Sequence, residues 1–439
     1  MERILIEEIE RITNCKVIAG AGNSNNYIDN ITTDTRNPAS STTLYIPIIG
    51  PKFNGRDYMQ SFLNETGGFV LDCQDGKKAL GDLARSYRSK FSIPIIAITG
   101  SSGKTSTKEM ISAVVSSQFN TIATIGNLNN DIGAPLTLFR IDKSTEVAIL
   151  ELGMNNFGEI SYLSSIVRPN ISIFTNIGTA HIGNLGSREG ILKAKLELLD
   201  YIAADGIVVL NADDDMLSSI NGKFPYKLVS FGINNKAADI RANKISEKKD
   251  GIEFEILIQN KVHSVKLKLY GKHHIYNALA AITVGIELKI PIEKIITSLS
   301  SVTSNTINRQ KEIKVNGITI IDDCYNANKD SMIASLTMLK NLPSKGNKYA
   351  VLGDMFELGE FNQSFHKEVS DYANSIGLKK IFTIGESSNK YIESHSKHNN
   401  IEELFENIKG TLKKDDIVLI KASHSVGLEK LVKLLQESL

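Results

Sequence analysis

The stretch "IPIIAITGSSGKTSTKEMI", residues 93 to 111, combines residue types that can hold a phosphate group. An apolar run breaks at a Thr-Gly pair into a loop of small residues, and a helical pattern follows. Gly100 and Gly103 allow the backbone to turn its N–H groups toward an anion, Lys104 adds a positive charge, and Thr105 offers a hydroxyl to a magnesium ion. The stretch therefore predicts a strand, a phosphate-binding loop and a helix, with an ordinary glycine-rich turn as the alternative.

Polar residues that suit a metal ion follow the next two apolar runs, in "LELGMNN" and "FTNIGTAHIGNLGSREG". Because the carboxyl ends of parallel strands meet at one edge of a sheet, Glu151 and His181 are expected near Thr105. A carboxylate, an imidazole and a hydroxyl around a phosphate suit magnesium or manganese. In the alternative interpretation, Glu151 caps the loop that follows it and His181 is a hydrogen-bonded loop histidine.

Alternating strand and helix patterns position these residues. From Ile93, "EVAILELG", "ISIFTNIG" and "GIVVLNADD" alternate with helical stretches, which predicts a parallel sheet with helices on both faces. Within this part, "IEFEILI" and "HSVKLKL" predict an antiparallel hairpin, and a second doubly wound set begins near Ile318. We therefore predict an α/β chain of three domains: a small α/β domain at 1–91, a central parallel-sheet domain with the phosphate loop at 92–308, and a C-terminal doubly wound domain at 309–439.

The composition excludes several classes of protein. The chain has 439 residues, 50 Lys and Arg against 49 Asp and Glu, and a formal net charge of +1, which disfavours a nucleic-acid surface. No apolar stretch approaches the ~18 residues of a membrane span, and the N-terminal "MERILIEEIERI" reads as an amphipathic helix. Its three cysteines are scattered and fit reduced thiols. We expect a soluble, cytoplasmic protein without membrane insertion.

Seven motifs in order resemble the Mur ligase family, which uses the short GxxGKT loop. They are "TGSSGKTSTKEMI", "NLNNDIGAPLTL", "ELGMNN", "NIGTAHIGNLGSREGILKAKLELL", "GKHHIYNALAA", "DDCYNANKDSM" and "LGDMFELGE". The resemblance covers the whole chain and implies a uridine-nucleotide-binding first domain, a P-loop ATPase second domain and a Rossmann-like third domain.

The resemblance also implies a reaction. The family forms an amide from a carboxylate and an amine, with ATP activating the acid as an acyl phosphate. The expected substrates are UDP-N-acetylmuramoyl-tripeptide and D-alanyl-D-alanine, in peptidoglycan precursor synthesis, and the expected enzyme is a monomer. The alternatives are a paralogue that joins a different carboxylate and amine, or a nucleotide-binding partner protein without catalysis.

The family's catalytic positions match Lys104, Glu151, His181 and Lys195. The implied ligands of one or two Mg²⁺ ions are Thr105, Glu151, His181 and Lys195, the lysine acting as a carbamate. Without the resemblance, Lys195 reads as a solvated lysine on an exposed helix face.

Two further sets of residues come from the resemblance alone. The implied ATP-binding residues are Gly100, Ser101, Ser102, Gly103, Lys104, Thr105, Ser106, Asn277, Arg309, Asp323, Tyr325, Asn326 and Asn328. The implied uridine-nucleotide residues are Thr33, Asp34, Thr35, Arg36, Lys52, Asn54, Gly55 and Asp57.

The chain departs from the family pattern at a few positions. Asn156-Phe157 replaces His-Pro, Asn308 precedes Arg309 in place of glycine, and His424 replaces an arginine. Lys329 stands where a proline would stiffen the turn after Asn328, so we expect a looser turn there. The phosphate and metal positions are intact. The resemblance therefore supports the class of reaction better than it supports the identity of the amine substrate.

Overall fold

The computed structural model describes residues 1–220, 222–248, 250–307 and 309–438. Asn308, at the predicted boundary between the second and third domains, lies outside the described residues. The N-terminal amphipathic pattern forms a two-residue strand and then a helix. The elements of the first segment are β1 (Ile4–Leu5), α1 (Ile6–Thr13), β2 (Lys16–Ala19), β3 (Tyr27–Ile28), β4 (Asn30–Thr32), β5 (Thr43–Tyr45), β6 (Ile49–Gly50), β7 (Phe53–Asn54), α2 (Met59–Thr66), β8 (Phe69–Asp72) and α3 (Gly76–Arg88).

Strands and helices alternate through the next segment, as the apolar pattern predicts. Its elements are β9 (Ile95–Thr99), α4 (Lys104–Val115), β10 (Thr121–Ala123), α5 (Gly133–Leu138), β11 (Val147–Glu151), α6 (Glu159–Val167), β12 (Ile171–Phe174), α7 (Ile182–Leu185), α8 (Arg188–Leu196), β13 (Ile207–Asn211), α9 (Asp215–Ser218), β14 (Lys227–Gly232), β15 (Ile240–Lys248), β16 (Gly251–Ile258), β17 (Lys261–Leu267), α10 (His273–Glu287), α11 (Ile292–Ser301) and α12 (Ser304–Ile307). The predicted hairpin is confirmed, because β16 and β17 pair antiparallel with Phe254 opposite Val265.

The last segment contains alternating strands and helices from Ile318 on, as predicted, with one further strand before them at Lys311. Its elements are β18 (Lys311–Val315), β19 (Ile318–Asp323), α13 (Lys329–Asn341), β20 (Lys348–Gly353), α14 (Asn362–Ser375), β21 (Lys380–Ile384), α15 (Glu386–Tyr391), β22 (Ser396–His398), α16 (Ile401–Lys409), β23 (Ile417–Lys421) and α17 (Glu429–Ser438).

The chain divides into two compact units, and the predicted boundaries at 91 and 308 stay predictions. The first comprises Met1–Thr99, Gln118–Ile173 and Leu196–Ile207. It contains a mixed sheet with strand order β2-β8-β5-β4, and β10, β11 and β9 lie side by side as parallel strands. Strands β9 and β11 are buried along their whole length, as parallel strands covered on both faces are.

The second unit comprises Gly100–Ser117, Phe174–Lys195 and Val208–Leu439. Its six-stranded sheet has the order β18-β19-β23-β20-β21-β22 and is parallel except at the β18–β19 pair. Apolar side chains of this sheet pack against α16 and α17. In the same unit α10 packs against α4, where a Cβ atom on Gly285 would lie 2.9 Å from Val114. This packing places the start of α10 beside the phosphate loop.

Candidate active site

The phosphate loop between β9 and α4 is held by the segment that follows β12. Ser101 N donates to the carbonyl of Asn176 at 3.0 Å, and Ser102 N donates to Oδ1 of Asn176 at 3.0 Å. Thr175 Oγ1 in turn donates to the carbonyl of Ser102 at 2.7 Å. A Cβ atom on Gly100 would lie 1.9 Å from Thr175 Oγ1, so only glycine fits there. The loop conformation is therefore fixed by two residues to which the sequence analysis gave no role.

Lys104 begins α4, directly after Gly103, which caps the helix in the left-handed conformation. Backbone amides in the first turn of a helix have no carbonyl acceptor within the helix, so α4 presents donors and a positive dipole end to an anion. The Lys104 ammonium donates to the carbonyl of Gly100 at 2.7 Å, which folds its side chain back over the loop. Ser106, also predicted to bind ATP, is buried in this first turn. The arrangement fits a phosphate chain.

Arg309 reaches the phosphate loop from the chain segment after α12. Its Nη2 donates to Thr105 Oγ1 at 3.1 Å, and its guanidinium lies 3.5 Å from the centre of the Tyr325 ring. Stacking on an aromatic face fixes the orientation of the guanidinium fork. The structure thus brings together three predicted nucleotide-binding residues that are far apart in sequence.

Asn277, in the first turns of α10, also faces the loop. Its Oδ1 accepts from Thr107 Oγ1 at 3.1 Å, and a Cβ atom on Gly103 would lie 3.0 Å from the same oxygen. Its Nδ2 lies 3.5 Å from Nδ1 of His274, whose Nε2 lies 3.2 Å from Oε1 of Gln310. Burial lowers the pKa of His274 well below its ordinary value, so this imidazole is neutral. Asn277 therefore links α10 to the helix of the phosphate loop.

Asp323, at the end of β19, forms a buried ion pair with Lys421, at the end of β23. Lys421 Nζ lies 2.8 Å from Oδ2 of Asp323 and donates to the carbonyl of Asn326 at 2.9 Å. The two charged side chains are 8% and 3% exposed, and Ser335 Oγ donates to the same carboxylate at 2.6 Å. Lys421 thus clamps both ends of the Asp323–Asn326 turn that carries Tyr325. The sequence analysis missed Lys421, although its position at a strand end was a usable signal.

Asn328 acts as the N-cap of α13. Its side chain accepts from Ser331 N at 2.8 Å, and the backbone N–H of Asn328 donates to Ser331 Oγ at 3.0 Å, in a reciprocal capping box. Lys329 then begins the helix and lies 3.0 Å from Glu368 and 4.5 Å from the centre of the Phe365 ring. The expectation of a looser turn at Lys329 is wrong, because the cap and the ion pair hold it.

His181 lies beside Glu357. The imidazole Nδ1 is 2.5 Å from Oε2 of Glu357, and the side chain of His181 is 17% exposed. Contact with His181 holds the pKa of Glu357 below its usual range, so the carboxylate is ionised at neutral pH. Glu357 belongs to "LGDMFELGE", a stretch that carried the resemblance but in which no residue received a role.

Lys195 is buried at the end of α8, with 1% of its surface exposed. Burial, with a contribution from the charge of Lys104, lowers its pKa far below that of an ordinary lysine. The interpretation as a solvated surface lysine is therefore wrong. Burial at this position thus favours the neutral amine over the ammonium form.

Glu151 belongs to the first unit and is 2% exposed at the end of β11. Its Oε1 accepts from Nδ2 of Asn129 at 2.8 Å, whereas Oε2 is buried without a hydrogen-bond partner among the described residues. A buried carboxylate oxygen without a donor suits a cation. Within the part of the chain that the structure describes, no three His, Cys, Asp or Glu side chains cluster as a preformed metal site. Mg²⁺ fits this chemistry because it is commonly held by few carboxylates together with substrate phosphates.

The predicted uridine-nucleotide residues lie on two loops of the first unit. Arg36 forms a two-pronged ion pair with Asp34, at 2.8 and 2.6 Å, and hydrogen bonds from Arg36 lower the pKa of Asp34 to about 2. On the other loop, the Gly55 carbonyl accepts from the Tyr45 hydroxyl at 2.8 Å. Burial raises the pKa of Tyr45 to about 12, with Asp34 adding to the rise, so both loops adjoin Tyr45. The remaining members are Thr33 and Thr35, which are half-buried, and Lys52, Asn54 and Asp57, which are exposed.

Three departures from the family pattern, at Asn156, Phe157 and His424, lie at the surface. His424 contacts Glu429 at 2.7 Å, and its ring centre is 5.9 Å from that of Tyr325. Asn156 donates to Glu159 at 2.9 Å, and Phe157 is exposed. His424 thus lies beside Tyr325, a predicted nucleotide-binding residue.

Comparison with known proteins gives one consistent family. The model of the Mur ligase middle domain matches residues 98–285, and that of the Mur ligase glutamate ligase domain matches residues 308–424. The chain is 34% identical to UDP-N-acetylmuramoyl-tripeptide–D-alanyl-D-alanine ligase of Bacillus subtilis, over 94% of each chain. Its fold is similar to crystal structures of MurF from Acinetobacter baumannii (TM-score 0.88, 27% identity, 100% of both chains) and from Thermotoga maritima in complex with ADP (TM-score 0.82, 25% identity, 93% and 97% of the chains). These matches confirm the predicted α/β fold with its three-domain architecture.

None of the described helices is long and apolar enough to cross a membrane.

The buried pair of Asp323 and Lys421 makes a stability prediction. Lys421→Met leaves an unpaired buried carboxylate, so we expect the free energy of unfolding to fall by about 3 to 5 kcal/mol. The double variant Asp323→Asn with Lys421→Met should recover part of this loss, because neither charge remains. Lys430→Met is the matched control, since Lys430 pairs with Glu402 at the surface and should contribute at most about 1 kcal/mol. Urea unfolding followed by circular dichroism measures all three. A Lys421→Met variant as stable as the wild type would contradict the clamp.

Proposed function

The chain belongs to the Mur ligase family, and we propose that it is the member that joins D-alanyl-D-alanine to UDP-N-acetylmuramoyl-tripeptide at the expense of ATP. It is an ATP-dependent ligase that yields ADP and phosphate. The observation that carries the proposal is the pairing of a formed phosphate loop with Arg309, whose guanidinium contacts the loop hydroxyl of Thr105. The proposed substrates are those in the name of the similar ligase from Bacillus subtilis.

The proposed reaction has two steps. First, an oxygen of the tripeptide carboxylate attacks the γ-phosphorus of ATP, so that an acyl phosphate forms and ADP leaves. The amine of D-alanyl-D-alanine then attacks the acyl carbon, the amide bond forms, and the phosphate departs with the carboxylate oxygen while the amine loses a proton. Little covalent chemistry is left to the protein, whose tasks are positioning and charge neutralisation.

Within the second unit, Lys104 and the first turn of α4 would contact the β- and γ-phosphates. Arg309 would exchange its bond to Thr105 for the phosphate chain, because the hydroxyl is then needed as a ligand. Asn277 and Tyr325 would border the base and ribose. Asn328 and Ser331 satisfy each other in the capping box, so we assign Asn328 the task of holding the turn rather than direct binding.

The proposed metal ligands are Thr105, Glu151 and His181. Bound Mg²⁺ would neutralise part of the phosphate charge, so that the γ-phosphate of ATP and the substrate carboxylate could approach each other. Glu151 fits this role because its Oε2 is buried and unpartnered among the described residues. His181 fits because its Nδ1 lies 2.5 Å from the Glu357 carboxylate, an ion-pair contact without hydrogen-bond geometry, so Nε2 is the nitrogen left to act as the ligand.

We propose that Lys195 is carbamylated in the working enzyme. Its neutral amine attacks carbon dioxide, the N–C bond forms, and one proton is released, so that a lysine becomes an anion. The charge of Lys104 acts on Lys195, so the carbamate would place an anion where that cation attracts it. The carbamate of Lys195 would carry oxygen atoms that can act as ligands in the proposed Mg²⁺ site.

The proposal extends to the remaining segments. We assign residues 1–91 to binding of the uridine nucleotide, where Arg36 and Lys52 would contact the diphosphate. We assign residues 92–308 to binding of ATP, and residues 309–439 to further contacts with the same ATP. Asp34 neutralises Arg36 when no ligand is bound, so the diphosphate would compete for the guanidinium. A cytoplasmic location and a monomeric state are part of the proposal, the first because ATP and the uridine nucleotide are made in the cytoplasm.

Product formation tests the function directly. With UDP-N-acetylmuramoyl-tripeptide, Mg²⁺ and ATP, ADP release should require D-alanyl-D-alanine and should match the amide formed one for one. Parallel reactions with single amino acids and other dipeptides replace only the amine. Turnover with another amine alone would identify a paralogue, and tight ATP binding without turnover of any amine would mean a nucleotide-binding protein without catalysis.

The Lys195 carbamate makes a second prediction. Lys195→Ala should lower kcat by about a hundredfold or more, because an anion is lost from the metal site, and acetate or formate should restore part of it. Wild-type protein in ¹³C-bicarbonate should give a carbamate signal by NMR that the variant lacks. Lys193→Ala is the matched control, since Lys193 is exposed on the same helix and should retain both activity and signal. Normal turnover of Lys195→Ala at low bicarbonate would contradict the assignment.

A further inference from the structure

Two residues with unusual backbone conformations meet within the second unit. His181 and Glu357 both adopt left-handed conformations, with φ of 63° and 62°, which side-chain-bearing residues rarely occupy. Their side chains contact each other at 2.5 Å. Such conformations persist only where the surroundings hold them, and they concentrate at functional sites. The surrounding structure therefore holds both residues in these conformations.

The backbone around this pair is docked closely. Gly183 N donates to the carbonyl of Glu357 at 3.0 Å. A Cβ atom on Gly183 would lie 2.7 Å from that same oxygen and from the nitrogen of Gly359. A side chain at position 183 would therefore separate the two segments. The glycine allows the Glu357 loop to approach until its carboxylate reaches the imidazole.

A second acidic residue anchors the same loop from another side. Asp330, in the first turn of α13, accepts from Thr179 N at 2.7 Å and from Thr179 Oγ1 at 2.9 Å. The loop from Thr179 to Gly183 is thus bound by the start of α13 and by the Glu357 loop. His181 lies between these two attachments, so its backbone has little freedom to turn.

We propose that Glu357 is a positioning residue for His181, and that its carboxylate fixes the imidazole so that Nε2 would be available as a ligand to Mg²⁺. The inference rests on the proposed function, since it takes His181 as a metal ligand. Neither the motif resemblance nor the comparisons assign a role to Glu357.

The physical argument concerns the two nitrogens of the ring. A carboxylate next to Nδ1 favours the tautomer with a proton on Nδ1, which leaves the lone pair of Nε2 for a metal. It also limits rotation of the ring and makes Nε2 a better electron donor. Because Glu357 comes from the segment after β20, the ring would take this orientation only while the Glu357 loop is docked. The metal site would thereby depend on the C-terminal segment.

The test measures metal affinity without turnover. Mn²⁺ is titrated, with detection by electron paramagnetic resonance, into protein saturated with β,γ-imido-ATP. Glu357→Gln should weaken Mn²⁺ binding by about tenfold and Glu357→Ala by up to about a hundredfold, the range typical of residues that orient metal ligands. Glu360→Gln, three residues along and exposed, is the matched control and should bind Mn²⁺ like the wild type.

A double-variant cycle with His181→Ala separates positioning from other effects. If Glu357 acts through His181, the combination of His181→Ala with Glu357→Gln should bind Mn²⁺ no more weakly than His181→Ala alone. Wild-type affinity in Glu357→Gln, no effect of His181→Ala, or additive losses in the double variant would each overturn the proposal. The donor and the amine are absent from this experiment, so an error in the proposed substrates would leave its result unchanged.

Discussion

The site depends on one constraint, the close packing of the phosphate loop against the residues that follow β12. Gly100 has no room for a side chain against Thr175, and Asn176 bonds both Ser101 and Ser102. These contacts fix where α4 begins and hence where its amide donors and Lys104 lie. The conformation of the loop is thus held by contacts of the protein itself, which limits the conformational entropy that binding an anion would cost.

A second level of organisation is supplied by residues from the C-terminal part of the chain. Arg309 bonds the loop hydroxyl, Asp330 bonds Thr179, and Glu357 contacts His181. An acyl phosphate is readily hydrolysed, so an enzyme that forms one must exclude water from it. The contacts made by Arg309, Asp330 and Glu357 form only when the C-terminal segment is docked. They would therefore restrict phosphoryl transfer to the docked state.

The elements of the fold could be predicted from sequence because their signals are local. Apolar runs such as "IIAIT" and "VAILE" end in polar loops, and the GxxGKT spacing marks a phosphate site at a known point. Lys195 could not be predicted to be buried, because lysine is usually exposed and its helix pattern is compatible with a solvated position. Glu357 could not be assigned because its partner His181 is distant in sequence, whereas Lys421 offered one signal, its position at the end of a strand. The turn at Lys329 was misjudged because proline was taken as the source of stiffness, whereas the Asn328 cap provides it.

The central claim is that ATP activates the donor carboxylate by phosphoryl transfer at this loop. The most direct measurement uses donor labelled with ¹⁸O in the reacting carboxylate and follows the label by mass spectrometry of the released phosphate. Transfer through an acyl phosphate predicts one labelled oxygen in each phosphate formed with product. Unlabelled phosphate accompanying full amide synthesis would contradict it, because the carboxylate oxygen would then have left by another route.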